Sequence, residues 1–459
     1  MIKNLNFKNK FKEITTNKTF LICLFLTIIY IISGYWKWLE IGLSIVAFIS
    51  FIILPIQNAF CIYMYLHCFT LSNIGYESCL VATTACFCAV LLVKYIIGIK
   101  KGDYILHKNL LITTAIFLVV SSIISLPNGF YYISWIYLIY FILFYLIFSM
   151  RKDFKIEQAM NYLFVGIITS SLLAITLAQL PGFQYYVYHN NERFMAFTNH
   201  PNTLYIRVLF CLSYYMYCLL NNKINPIIFT IIYMFGSIVV LSTLSKMGVA
   251  LLLLFTLITL TFYLIKDFKK RIIHVVIFII IGVLISLMSF DFLSDILYRF
   301  THDEGFNKGI INSLTTGRDD IWLEYLKQSA KNPFTLLFGN GILSQEVYIP
   351  SQMQIRAPHS LYIFLLYRFG IIGILTIGYM IYLMIKTLYK ERPKFIAYIP
   401  LLMLLIVSLS ANTFKSYNFI YVILAAQILF SNCKNKPNKK DLQQDKNQTS
   451  EQVLNENKE

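Results

Sequence analysis

Runs of about 17 to 25 mostly apolar residues recur along this chain, and no other sequence feature constrains its fold as tightly. Each run is long enough to cross a hydrocarbon core of roughly 30 Å as a helix. Inside lipid the backbone must satisfy its own hydrogen bonds, which a helix does and an open strand does not. Barrel strands would instead show alternation over about ten residues. Composition agrees: 58% of the 459 residues are hydrophobic and 13% are charged. A soluble domain carries about 25% charge, and its single core would not hide this much apolar surface. The reading is an all-α, polytopic integral membrane bundle. Spans are expected at 19–35, 38–55, 58–72, 77–98, 108–126, 130–149, 160–180, 202–220, 225–243, 247–265, 272–290, 360–386, 395–411 and 417–431. The third and last are short enough to be re-entrant or interfacial, which brackets the number at about 12–14.

Basic residues orient this bundle, because short cytoplasmic loops carry an excess of Lys and Arg. With the N-terminus inside, more than two thirds of the 39 Lys and Arg residues fall on the inner side. They include Lys100, Lys101 and Lys108; Arg151, Lys152 and Lys155; Lys266, Lys269, Lys270 and Arg271; and Lys390, Arg392 and Lys394. The net charge of +17 is then a topology signal plus a basic tail near anionic lipid, with no nucleic acid implied. The expected organisation is a basic cytoplasmic N-terminus (1–18), transmembrane helices (19–290), a long outward loop (291–358), C-terminal transmembrane helices (359–432) and a disordered cytoplasmic tail (433–459). The first apolar run follows five lysines and lacks a small-x-small cleavage site, so it reads as a retained span. Of the nine cysteines, eight lie in apolar runs and Cys433 opens the tail, so they read as apolar fillers.

A polar loop of this length is unusual in a chain whose other connections are short. Within it, Gly317–Lys331 reads as a helix. Thr316 would cap it, Asp319 and Asp320 suit its first turn, and Ile321, Tyr325 and the Trp322/Leu326 pair form an apolar stripe. Asp291–Arg299 reads as a second short helix.

Four features fall on the outer side, where the charge rule disfavours cations. They are Arg193-Phe194 with Phe197-Thr198-Asn199-His200-Pro201-Asn202; Ser245-Lys246; Gly317-Arg318 followed by Trp322; and Pro358-His359-Ser360 followed by Gly370 and Gly373. Arg offers a planar fork for phosphate oxygens, so together these residues would suit a diphosphate headgroup. His359 is a candidate general base. Arg207 lies a turn or so inside the eighth span, where a cation is a candidate for a headgroup contact or a buried pair, or snorkels to the interface. Arg368 is expected to snorkel likewise. His189, His200 and His302 also face outward, without the spacing of a metal site. The loop acids, among them Asp303, Glu304, Asp319, Asp320, Glu324 and Glu346, show no pairing that selects a glycosidase couple. No phosphate-cradling nucleotide loop is present, and Gly339-Asn340-Gly341 reads as a turn.

In this order and topology the four features resemble the O-antigen ligase / O-antigen polymerase superfamily of bacterial envelope glycosyltransferases, over roughly Arg193 to Gly373. The most specific piece is His-[Asn/Ser/Gln]-x9-Gly-x-x-Gly, met by His359, Ser360, Gly370 and Gly373. The family's Asn-Pro-Asn reads Asn199-His200-Pro201-Asn202 here, and its Ser-Arg-Gly appears as Ser245-Lys246-Met247-Gly248. The resemblance implies a glycosyltransferase-C-like bundle in the bacterial inner membrane, both termini cytoplasmic. It implies metal- and cofactor-independent, inverting transfer of a glycan from undecaprenyl diphosphate to a glycolipid or lipid-linked acceptor at the outer face. His359 and Arg318 would be catalytic; Arg193, Arg207, Lys246, Asn202 and Trp322 would bind substrate. Ligase, polymerase and protein oligosaccharyltransferase share this chemistry, and ligase is the leading expectation. A transporter would instead be expected to show related halves and ionisable groups near the midplane.

Overall fold

Where the chain is apolar, it is helical. The computed structural model describes residues 18–36, 38–70, 78–128, 135–179, 188–189, 193–198, 200–266, 268–288, 294, 298, 318–388, 395–409 and 418–431. Seven helices come first: α1 (Lys18–Ser33), α2 (Leu39–Ile53), α3 (Ile56–Leu66), α4 (Ser78–Lys101), α5 (Lys108–Ser125), α6 (Trp135–Ser149) and α7 (Ile156–Leu177). A short antiparallel hairpin of β1 (Tyr188–His189) and β2 (Arg193–Phe194) precedes α8 (Pro201–Leu220), α9 (Pro226–Ser242), α10 (Lys246–Lys266) and α11 (Phe268–Met288). Next come α12 (Arg318–Ser329), α13 (Pro333–Phe338) and the antiparallel pair β3 (Val347–Ile349) and β4 (Gln354–Arg356). Three apolar helices follow, α14 (Leu361–Leu388), α15 (Ile399–Val407) and α16 (Phe419–Ser431). Among the described residues each expected span has its helix. Of the helix read at Asp291–Arg299 the structure describes Ser294 and Tyr298, both helical, whereas the Thr316 cap, His302 and the tail from Cys433 lie outside the described residues.

The chain is a polytopic membrane helical bundle. Among the described residues six helices are individually long and apolar enough to span, namely α4, α5, α7, α8, α10 and α14. The bundle is apolar outside as well as inside. α2 exposes Ile41, Ile45, Ile49 and Ile52, and α5 exposes Ile112, Ile116, Val119 and Ile123. These spacings put one stripe on one face of each helix, and a helix apolar all round belongs in lipid or deep in a core. α8 is the opposite case, since every residue in it except Asn202 is buried. It packs against α7, α9, α10 and α15 and forms the centre of the bundle.

Short polar ties mark the two ends. At one end Lys94 Nζ donates to the carbonyls of Phe51 (2.9 Å) and Leu54 (2.7 Å), and Arg271 Nη2 donates to Asn222 Oδ1 (3.0 Å). At the other, Leu361 N–H donates to the Ser408 carbonyl (2.9 Å), joining the start of α14 to the end of α15. Ile321, Tyr325, Val347, Ile349 and Tyr367 form a separate small core there, which fixes α12 and the β3–β4 hairpin on the first turns of α14. The expected stripe on α12 is narrower than its sequence suggests, because Leu326 is 40% exposed.

The Gly-x-x-Gly segment is a backbone device. Gly370 has φ +60° and ψ −172°, so α14 bends there and its preceding carbonyls turn outward. Asn340 N–H donates to the Tyr367 carbonyl (2.8 Å) and Gly341 N–H to that of Arg368 (2.8 Å). Arg368 does not snorkel. It is buried, donates to the Ile342 carbonyl, and lies 4.9 Å from the Phe364 ring and 5.2 Å from the Tyr137 ring. Leu343 N–H donates to Ser125 Oγ (2.8 Å), so the turn at Gly339–Gly341 locks α14 to the end of α5. A Cβ on Gly370 would sit 2.5 Å from the Leu337 carbonyl, in a conformation open almost only to glycine. Gly370→Ala is therefore expected to cost about 1–3 kcal/mol or more and to lower the thermal midpoint in detergent. Gly378→Ala, on the same helix with nothing within 4 Å of the new methyl, should leave that midpoint unchanged.

Candidate functional site

The site is assembled around the first turns of α8. His200 caps this helix, its Nδ1 accepting from Asn202 N–H (3.1 Å), and Pro201 fills the first helical position. His200 thus does the capping work of an Asn, and its role is structural. Asn202, in the first turn, accepts on Oδ1 from Arg193 Nη2 (3.0 Å), while Arg193 Nε donates to the Thr243 carbonyl (3.0 Å). One guanidinium therefore joins β2, the start of α8 and the end of α9. His189 pairs with Arg193 across the β1–β2 hairpin.

Two residues on from Thr243, Ser245 caps α10, its Oγ accepting from Gly248 N–H (3.3 Å). Lys246 is the first residue of α10 and is half-buried. Gly248 is needed for close approach: a Cβ there would lie 3.1 Å from Cγ of Tyr205, one turn into α8. Arg318 opens α12 and is half-buried. Burial pushes its guanidinium below the usual value, and the Tyr205 phenol opposes that shift. Tyr205 thus packs against Gly248 and lies within electrostatic reach of Arg318. Nothing in the sequence marks it, since it is one of several tyrosines in an apolar run.

His359 is reached through α12. Trp322, one turn beyond Arg318, donates its indole N–H to the Pro358 carbonyl (2.8 Å), and Tyr325 Oη donates to that of Arg356 (2.8 Å). His359 itself has φ +48°, rare for a residue with a Cβ. Clamped on the far side by the Leu361–Ser408 bond, it is held in a strained conformation next to α12. Trp322 acts here as a tether for the His359 segment.

The structure thus gathers Arg193, Asn202, Lys246, Arg318, Trp322 and His359 at one end of the bundle. Arg207 is not with them. It lies two residues beyond Tyr205, about 200° around α8. It is fully buried and its Nη2 donates to Thr70 Oγ1 (3.2 Å), so it neither snorkels nor reaches the surface. Among the described residues no three His, Cys, Asp or Glu side chains gather into a metal-ligand set.

The arrangement has a clear electrostatic sense. α8, α10 and α12 all begin here, each bringing the partial positive charge of its helix start. Lys246 and Arg318 add full positive charges at two of those ends, where the helix dipole disfavours them. Such a concentration suits an anion with several oxygens. The Arg193–Asn202 bond should register as energetic coupling. In thermal unfolding, Arg193→Lys and Asn202→Ala are each expected to destabilise, and the double variant should recover about 0.5–1.5 kcal/mol relative to their sum.

No curated protein and no solved structure matches the chain significantly. Residues 229–378 match the family model for O-antigen ligase. That segment contains Lys246, Arg318, Trp322, His359 and the Gly370 bend, and leaves Arg193, Asn202 and Arg207 outside it. Over residues 229–378, about a third of its length, the chain is therefore similar to the O-antigen ligase family.

Proposed function

We propose that this protein is an O-antigen ligase that moves a glycan from undecaprenyl diphosphate to lipid A–core at the outer face of the bacterial inner membrane. The observation that carries the reading is the meeting of Lys246, Arg318 and the tethered His359 where three helices begin. The donor is already activated by its diphosphate, so transfer requires only a leaving-group site and a base. As the glycosidic C–O bond breaks, negative charge grows on the departing phosphate oxygen. Arg318 and Lys246 meet that charge with positions fixed beforehand, which favours the transition state over the ground state. His359 accepts the proton of the acceptor hydroxyl as its oxygen attacks the anomeric carbon, and direct displacement inverts that carbon. Arg193 acts by holding the start of α8 and the Thr243–Lys246 turn together, with Asn202 as its anchor. Trp322 keeps His359 in reach.

The orientation belongs to the same proposal. The site end carries few cations beyond those of the site, whereas the opposite end carries the Arg151 and Arg271 clusters, so the site faces away from the cytoplasm.

Proteoliposomes holding the purified protein, an undecaprenyl-diphosphate glycan and lipid A–core test the reading. Wild-type protein is expected to produce glycosylated lipid A–core. Arg318→Ala should lower the rate by about 10²–10³-fold and His359→Ala by about 10²–10⁴-fold, with membrane insertion retained. Lys246→Arg should keep activity where Lys246→Ala loses it. Elongated carrier-linked glycan made without lipid A–core would instead identify a repeat-unit polymerase. Full activity in both Arg318→Ala and His359→Ala would remove these two residues from the chemistry.

A further inference from the structure

Arg207 lies outside the transfer site proposed above, and the bundle buries it completely. A lone guanidinium sealed inside a membrane protein costs several kcal/mol unless something compensates its charge. The protein supplies one hydrogen bond, from Nη2 to Thr70 Oγ1. Among the described residues, Nε and Nη1 have no partner. His67, also fully buried, sits nearby on the segment that follows α3. Its Nδ1 lies 3.2 Å from the Tyr421 hydroxyl of α16, and its Nε2 has no partner among the described residues either. Arg207 acts electrostatically on His67, Cys68 and Tyr421 alike, and among the described residues no carboxylate acts on any of the three.

These orphan groups have one chemical character. Arg207 Nε and Nη1 can only donate. In the tautomer whose Nδ1 accepts from the Tyr421 O–H, His67 Nε2 carries the ring proton and donates as well. A metal cation would meet only donors and a like charge. Water would satisfy a donor and leave the charge uncompensated. An acceptor that is also negative satisfies both demands. It must be small, because every residue of α8 around Arg207 is buried and His67 is buried as well.

We propose that Arg207 and His67 hold one small monovalent anion, of the chloride class, inside the bundle between α3, α8 and α16. This anion is a permanent counterion that lets the central helix keep its charge, and it is separate from the diphosphate of the transfer site.

Halide-dependent stability tests this. The thermal midpoint of the purified protein is measured in sodium gluconate, with chloride or bromide replacing gluconate at constant ionic strength. Wild-type protein is expected to gain roughly 2–4 °C in a saturable manner. Arg207→Met should show no halide response, and Arg318→Ala should show the full one. A response retained in Arg207→Met, or lost only in Arg318→Ala, would overturn the proposal and place any bound halide elsewhere. Should Arg207→Met fail to fold, crystals of wild-type protein grown in bromide decide the matter. An anomalous peak within hydrogen-bond reach of Arg207 and His67 supports the site, and none there refutes it. Neither result bears on the glycan-transfer assay, so the two readings stand or fall separately.

Discussion

The burial of α8 is the constraint on which the rest depends. A helix with one residue free of the core must satisfy every polar group it carries from its neighbours. Its start is the one place where that requirement loosens, because the first turn leaves backbone donors open. His200 takes the donors of Asn202 on its ring and of Thr203 and Leu204 on its carbonyl, and Pro201 has none to offer. This capped start faces the end of the bundle where Arg193, Lys246 and Arg318 gather. The helix that centres the fold is thus also the floor of the site. Its two polar faces divide the work, with Tyr205 turned to the site and Arg207 turned into the protein.

Holding His359 and Arg318 in register is a separate problem, because α12 and the β3–β4 hairpin are not part of the apolar bundle. The bend at Gly370 solves it. Two carbonyls freed from the α14 ladder accept from Asn340 and Gly341, and the same turn is fixed to α5 through Ser125. Buried Arg368 closes the joint at Ile342. The small core around Tyr325 then ties α12 to α14, and Trp322 ties it to the residue before His359. The glycines of the His-x9-Gly-x-x-Gly pattern therefore serve the histidine indirectly, by anchoring the frame on which it stands.

The sequence spoke clearly about the spans, because apolar runs are long and each maps to one helix. α12 was legible too, since Asp319, Asp320, Ile321 and Tyr325 declare a helix start and a buried face. Leu326 was misread because periodicity cannot say how wide a face the partner covers. Arg193, Lys246, Arg318 and His359 stood out as cations and an imidazole on the side where such groups are rare. Tyr205 gave no signal, because a tyrosine in an apolar run is equally at home in a core. Arg207 and Arg368 looked alike in the sequence, each a single cation within a span. The structure separates them by partners: Arg368 finds a carbonyl and two aromatic faces, while Arg207 finds one hydroxyl.

The same comparison explains why the site cations are costly and still present. Lys246 and Arg318 begin helices, where an acidic or neutral residue would be more stable by about 0.3–1 kcal/mol each. Arg318 is also half-buried, which weakens its hold on its own proton. His359 adds the strain of a positive φ. Each of these terms opposes folding, and each is relieved or put to use when an anion arrives: the helix ends gain a counter-charge, and the guanidinium regains in contact what it lost in hydration. In the proposed function, the stability withheld at these positions becomes affinity for an anionic ligand. A bundle this rigid can carry that deficit because the strained groups sit on a frame fixed elsewhere, at Gly370, at the Arg193 bridge and along the whole length of α8.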